Sequence, residues 1–283
     1  MAPRRSGLRA AGLALLLAFA ACGGDAPPLL WEVQSDAGAP VSLLGTYHFG
    51  LSARADLPPA VWRHLERAAL FLNEADTRFV DARLLLPQAA LPAGQRLDEL
   101  LSPAAFGELL RLLEPFPASQ LATLRPWLIG SLLTARLIAP QEAIDLSLLT
   151  AAERAGKQLR SFETPEEQVA MLNRLPLDEA LPALEQQLAD TEQLRRELEA
   201  RIAAYRRGDA QALSELDFAP GTESYEILLH QRNLAWLPQL EALLQGSEVA
   251  FVAVGISHVL GPEGLLALLS ARGYAVRRVG SRD

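Results

Sequence analysis

Two hydrophobic patterns alternate along the chain. Short, mainly apolar runs occupy positions 29–33, 41–44, 69–72 and 249–254, and the second and fourth of them end in Gly-x-x-His. Such runs predict core strands. The more polar stretches 157–162 and 274–279 are read as further strands. SDAGAP between the first two runs is turn chemistry and predicts a β-hairpin. Elsewhere apolar residues recur every three or four positions, the helical period. This holds over 60–70, over 95–155 between prolines, over 166–205 as one long charged helix, over 225–244 and over 265–272. Ser102-Pro103 and Thr164-Pro165 are helix starts, with a hydroxyl cap and Pro at the first helical position. Strands followed by helices predict an α/β fold: a central mixed β-sheet flanked by helices, with a helical insertion spanning 95–245.

The strand ends carry the candidate chemistry. Two runs finish in the same pattern, Gly45-x-x-His48 and Gly255-x-x-His258. Glycine there lets the backbone turn sharply as it leaves the sheet. In open α/β sheets ligands gather at the carboxyl ends of strands, where both histidines are expected. The chain has four histidines, and the matched pair points to a shared site. Glu74 follows the strand at 69–72 and Glu163 the strand at 157–162. Alone, Glu74 reads as a helix-capping or surface acid; beside two histidines it becomes a candidate ligand or general base. His64, between charged residues on a predicted helix, is read as a surface residue. The leucine stripe over 181–198 is read as core packing.

Composition narrows the functional classes. The 283 residues are half hydrophobic, with a formal net charge of −8. Arginines are interleaved with acids and Gln, and no basic stripe with aromatics is present, so no nucleic-acid partner is expected. The single cysteine, Cys22, excludes an intrachain disulfide framework. It follows Arg4, Arg5, Arg9 and the apolar run AAGLALLLAFAA, the charged and hydrophobic regions of an export signal. Residues 1–22 are read as a lipoprotein signal peptide and 23–28 as a flexible tether, with residues 29–283 as the folded domain. Cys22 would then be lipidated, and the protein would be membrane-anchored in a bacterial cell envelope. An ordinary secretory peptide with an incidental cysteine is the alternative.

Two imidazoles and a carboxylate are a ligand set for Zn, Mn, Co or Fe that leaves open positions for water. No Gly-x-Ser-x-Gly elbow supports serine hydrolysis, and no glycine-rich phosphate loop supports nucleotide binding.

Five stretches in order, LLGTYHFG, LNEAD, KQLRSFETPEEQ, RNLAW and FVAVGISHVLGPEGLLALLSARGY, resemble the TraB/GumN family, related to the Tiki proteins. The similarity spans about residues 29–280. It implies a fold of the erythromycin-esterase/ChaN-like kind. For the Tiki branch it implies a divalent-metal-dependent protease built on Gly45/His48, Gly255/His258 and Glu74. Glu163, Arg232 and Asn233 also match family positions. Arg232 would steady an oxyanion and Asn233 would orient substrate. The reading is a lipid-anchored, metal-dependent hydrolase of peptides or proteins, with Mn, Co or Zn as cofactor. The alternatives are a peptide-sequestering protein, as the pheromone-shutdown relatives imply, and a haem- or iron-binding protein.

Overall fold

The computed structural model describes residues 27–78, 87–139, 141–216 and 220–281. The expected signal peptide, Cys22 and residues 23–26 of the tether lie outside the described residues. Six strands form one mixed sheet: β1 (Leu30–Gln34), β2 (Val41–Thr46), β3 (Leu70–Asn73), β4 (Gln158–Ser161), β5 (Ala250–Gly255) and β6 (Ala275–Arg278). Their order across the sheet is β4-β3-β5-β2-β1-β6. The hairpin is present, β1 pairing antiparallel with β2. β2, β5, β3 and β4 run parallel. β2 and β5 are buried at every position, which is why neither sequence alternates apolar and charged residues; the polar Ser42 and Thr46 of β2 hydrogen-bond to His64 and Asp145. The outermost strands β4 and β6 alternate exposed and half-buried residues, and their Gln and Arg side chains blunt the sheet's edges.

The fold is mixed α/β, as expected, with helices flanking the sheet. Between Leu97 and Gln245 the described residues are mainly helical, interrupted by β4. Helices Pro103–Leu112, Pro126–Leu137 and Leu177–Ala189 gather around a second apolar core that includes Leu109, Leu121, Ile129, Leu133 and Leu184. The sheet has its own core, in which Phe71 and Phe251 stack across β3 and β5 with ring centroids 6.1 Å apart.

Two expectations are corrected here. The single helix over 166–205 is three: Pro165–Leu172, Leu177–Ala189 and Thr191–Arg206. Pro176 cannot continue the first, and Asp190, at φ −140°, ends the second while its side chain caps the third. His64 is not a surface residue. It is 5% exposed, and its Nδ1 lies 2.8 Å from Ser42 Oγ on β2. In helix Pro59–Arg67 it falls on the same face as Ala60, Val61 and Leu65, so its period outweighs its charged neighbours.

Candidate functional site

The four parallel strands deliver their next residues to one edge of the sheet. His48 follows β2, Glu74 follows β3, Glu163 follows β4 and His258 follows β5. The β3–β4 pairing continues past both strands through Phe162 N to Asn73 O and Glu163 N to Glu74 O, each 2.9 Å. Glu74 and Glu163 therefore leave the sheet side by side. Buried Asn73 fixes that turn: its Nδ2 donates to Ala75 O and its Oδ1 accepts from Ser161. After β5 a single helical turn, Ile256–Val259, brings His258 back under the edge, 4% exposed.

The two motif glycines serve close approach, not the sharp turn expected of them. Neither has a positive φ. A Cβ on Gly45 would lie 2.2 Å from Ile256 Cδ1. A Cβ on Gly255 would lie 3.2 Å from Glu74 Oε1, 3.5 Å from His48 Nε2 and 3.8 Å from His258 Cδ2. Gly255 thus marks the space that the three predicted residues surround, and its N–H donates to Glu74 Oε1 at 2.7 Å.

The hydrogen bonds orient both imidazoles and fix the tautomer of His258. Asn233 Nδ2 donates to the carbonyls of His258 and Glu263, so its Oδ1 must accept from His258 Nδ1–H, at 2.8 Å. His258 Nε2 then carries the lone pair, and Arg232 Nη1, which can only donate, reaches it at 2.8 Å. Burial pushes the His258 imidazole down to about 3, against the pull of Glu74, so the ring is neutral. His48 Nδ1–H donates to Asp145 Oδ2 at 2.8 Å, and Thr46 donates to the other carboxylate oxygen. The Asp145 charge raises the His48 imidazole above its ordinary value, although this ring is 52% exposed and partly screened by water.

Arg232 joins the acids. Its guanidinium meets Glu163 through two hydrogen bonds, of 2.8 and 2.9 Å, and donates to Glu74 Oε2 at 2.7 Å. It lies 4.7 Å over the Trp236 ring, which packs 4.4 Å from the His258 ring and donates to Glu163 Oε1 at 3.1 Å. Burial alone would raise Glu74. The surrounding positive charge, Arg232 foremost among the fixed cations, outweighs burial and holds the carboxyl well below the usual carboxylate range.

All six residues singled out from the sequence, His48, Glu74, Glu163, Arg232, Asn233 and His258, thus belong to one cluster. Asn233 is the exception in orientation. It is 1% exposed and directed at His258, so it positions that ring rather than touching a substrate as expected. Asp145 and Trp236 belong to the cluster and were not singled out. Trp236 had a signal, since Arg232 and Trp236 in RNLAW are four apart and share a helix face. Asp145 had none, lying 97 residues from His48 at a helix start.

Above this floor opens a pocket of about 500 Å³, lined by His48, Glu74, Arg232, Gly255, Ser257 and His258 at its polar end. The donor set there fits a divalent cation in its chemistry. Both Nδ1 atoms are committed to Asp145 and Asn233, the outer-shell arrangement that orients ligating imidazoles. Glu74 Oε1 lies 3.9 Å from His258 Nε2 and adds a negative charge. Arg232 occupies the single lone pair of His258 Nε2 and the other oxygen of Glu74, so a cation bound at His258 would displace Nη1 from that ring. Among the described residues, Glu226, His230 and Glu263 form a tighter His/Glu group, with ligand atoms within 4.8 Å of one another.

The TraB/PrgY/gumN family model matches residues 29–278. The chain is 32% identical to YbaP of Escherichia coli K12 over 237 residues, covering 80% of this chain and 86% of that protein. It is also 32% identical over 170 residues to the metalloprotease TIKI2 of Danio rerio, covering half of this chain and 33% of that protein. The similarity to a metalloprotease and the available His/Glu donors together suggest a metal ion. By the extent of the family match and of the likeness to YbaP, the chain belongs to the TraB/PrgY/gumN family.

Proposed function

We propose that the protein is a divalent-metal-dependent hydrolase of peptides or proteins. The observation that supports this best is the meeting of His48, Glu74, His258 and Arg232 at the carboxyl edge of four parallel strands, on the floor of a pocket. His48 Nε2, His258 Nε2 and Glu74 Oε1 would hold the cation. Such a cation supplies Lewis-acid polarisation of a carbonyl and acidification of water. Glu74 Oε1 lies 3.9 Å from His258 Nε2 and beside the Gly255 N–H, which places Glu74 in the ligand set in this reading. Asp145 and Asn233 keep the two imidazoles in the tautomers that turn Nε2 to the pocket. Arg232, held by Glu163 and Trp236, places a fixed positive charge where an oxyanion of the substrate would develop. Cys22 is proposed as the acylated residue that anchors the protein in a bacterial cell envelope.

Metal content and peptide turnover, measured on the same preparations of the purified chain, test the reading. His48→Ala and His258→Ala should each remove most of the bound Mn, Co or Zn. Glu74→Gln should lower metal affinity and activity together, by roughly 10- to 100-fold or more. Loss of activity with metal fully retained would instead make Glu74 the base. A wild-type chain that retains no cation and cuts no peptide would overturn the proposal.

A further inference from the structure

The pocket above the polar floor has a second character that hydrolysis alone does not require. Its walls are Trp127, Met171, Leu172, Leu175, Leu228 and Leu229, drawn from three segments of the helical region. The remaining wall groups, Ser131 and Gln168, are neutral. Every ionisable side chain lining the pocket belongs to the floor: His48, Glu74, Arg232 and His258. Most of the wall side chains are only half-buried, so apolar surface faces the pocket and gains by being covered.

The wall is built, not incidental. Trp127 is steered by its Nε1, which donates to Asn173 Oδ1 at 3.2 Å, and Asn173 Nδ2 is held by Gln88 O at 2.7 Å. Glu226–His230 forms a π-helical turn, a rare local widening that recurs at functional sites. That turn carries the consecutive residues Leu228 and Leu229 on one pocket wall. The Leu228 carbonyl accepts from Arg232 Nη1 at 3.1 Å, so the same turn joins the apolar wall to the floor.

Charge decides what such a pocket accepts. A cationic side chain among these walls meets no carboxylate there. An anionic one meets no cation among these walls, because Arg232 and His48 both belong to the floor. Either leaves a desolvated charge uncompensated, which costs far more than any contact returns. We propose that the pocket is the specificity site for a bulky, uncharged aliphatic or aromatic side chain next to the bond that is cut. This rests on the hydrolase reading above and adds the substrate class to it.

The test is a panel of fluorogenic peptides identical except for Leu, Phe, Ala, Lys or Glu at each position flanking the cut, used with the full chain loaded with Mn, Co or Zn. At one flanking position Leu and Phe should exceed Lys and Glu by roughly 100-fold in kcat/KM, the scale of discrimination by an apolar pocket. Met171→Glu and Leu175→Glu, in the wall and away from the floor, should reduce that preference at least about 10-fold and improve Lys. A flat profile at every position, or a preference that both variants leave intact while remaining folded by circular dichroism, overturns the proposal. Calorimetric binding of the same peptides separates the two readings if none is cut. Tighter binding of Leu and Phe peptides, lost in Met171→Glu, then upholds the pocket while the hydrolase reading falls. Equal binding of all peptides overturns both.

Discussion

Arg232 ties two carboxylates, one imidazole and one indole into a single unit, with 11% of its side chain exposed. Replacing it with Met leaves Glu74 and Glu163 facing each other without a cation. Breaking a buried pair in this way should destabilise the fold by about 3 kcal/mol, read from urea unfolding. If the acids seek a cation, added Mn or Zn should restore more stability to Arg232→Met than to wild type. The two motif glycines should part company on substitution. Gly255→Ala inserts a methyl among Glu74, His48 and His258 without backbone strain, so the fold should survive while metal affinity falls about 10-fold or more. Gly45→Ala meets Ile256 in a closed core and should cost about 1–3 kcal/mol of stability. Thermal melts paired with calorimetry distinguish the two. At this scale the sequence was informative where chemistry sits just after a strand-like run: His48, Glu74, Glu163 and His258 all do. Asp145 was silent because its partner lies far away in the chain, and no local period records such a contact.

At the scale of elements, the central strands were legible because β2 and β5 are mainly apolar, and the helix starts because Ser102 and Thr164 cap as expected, the latter in a full capping box. The order of the strands was not legible, since pairing across the sheet depends on partners that no local pattern names. His64 shows the cost of weighting neighbours over period, and its burial has a measurable consequence. Burial holds the imidazole below its ordinary 6.5. The unfolded chain therefore takes up the proton first as pH falls, and stability tied to the neutral ring is complete above about 6.5 and declines below it. Between about pH 7.5 and about pH 5 the melting temperature of wild type should fall further than that of His64→Gln, which keeps a partner for Ser42 but cannot charge. Equal falls would remove His64 from the acid response.

For the whole molecule, the division of labour lies between two cores. The ends of the parallel strands deliver His48, Glu74, Glu163 and His258, while the helical region supplies Arg232, Asn233 and the pocket walls. The proposed anchor, Cys22, belongs to neither core. If Cys22 is acylated, mass spectrometry of membrane-derived protein should find cleavage before Cys22 and more than one acyl chain on the new terminus, because one chain holds a protein to a bilayer only marginally. A Cys22 that keeps its leader or carries no lipid would remove the anchor.

The position of β5 has a consequence in time. It lies between β2 and β3, which do not pair with each other, and it is the last of the parallel strands to be synthesised. His48 and Glu74 leave the ribosome long before the strand that holds them to one sheet, and His258 follows that strand. A nascent chain therefore carries the early half of the site with a gap where its centre will be. Long-range strand insertion of this kind is a late and slow event in folding. The cluster of His48, Glu74 and His258 therefore comes into being only when β5 takes its place between β2 and β3.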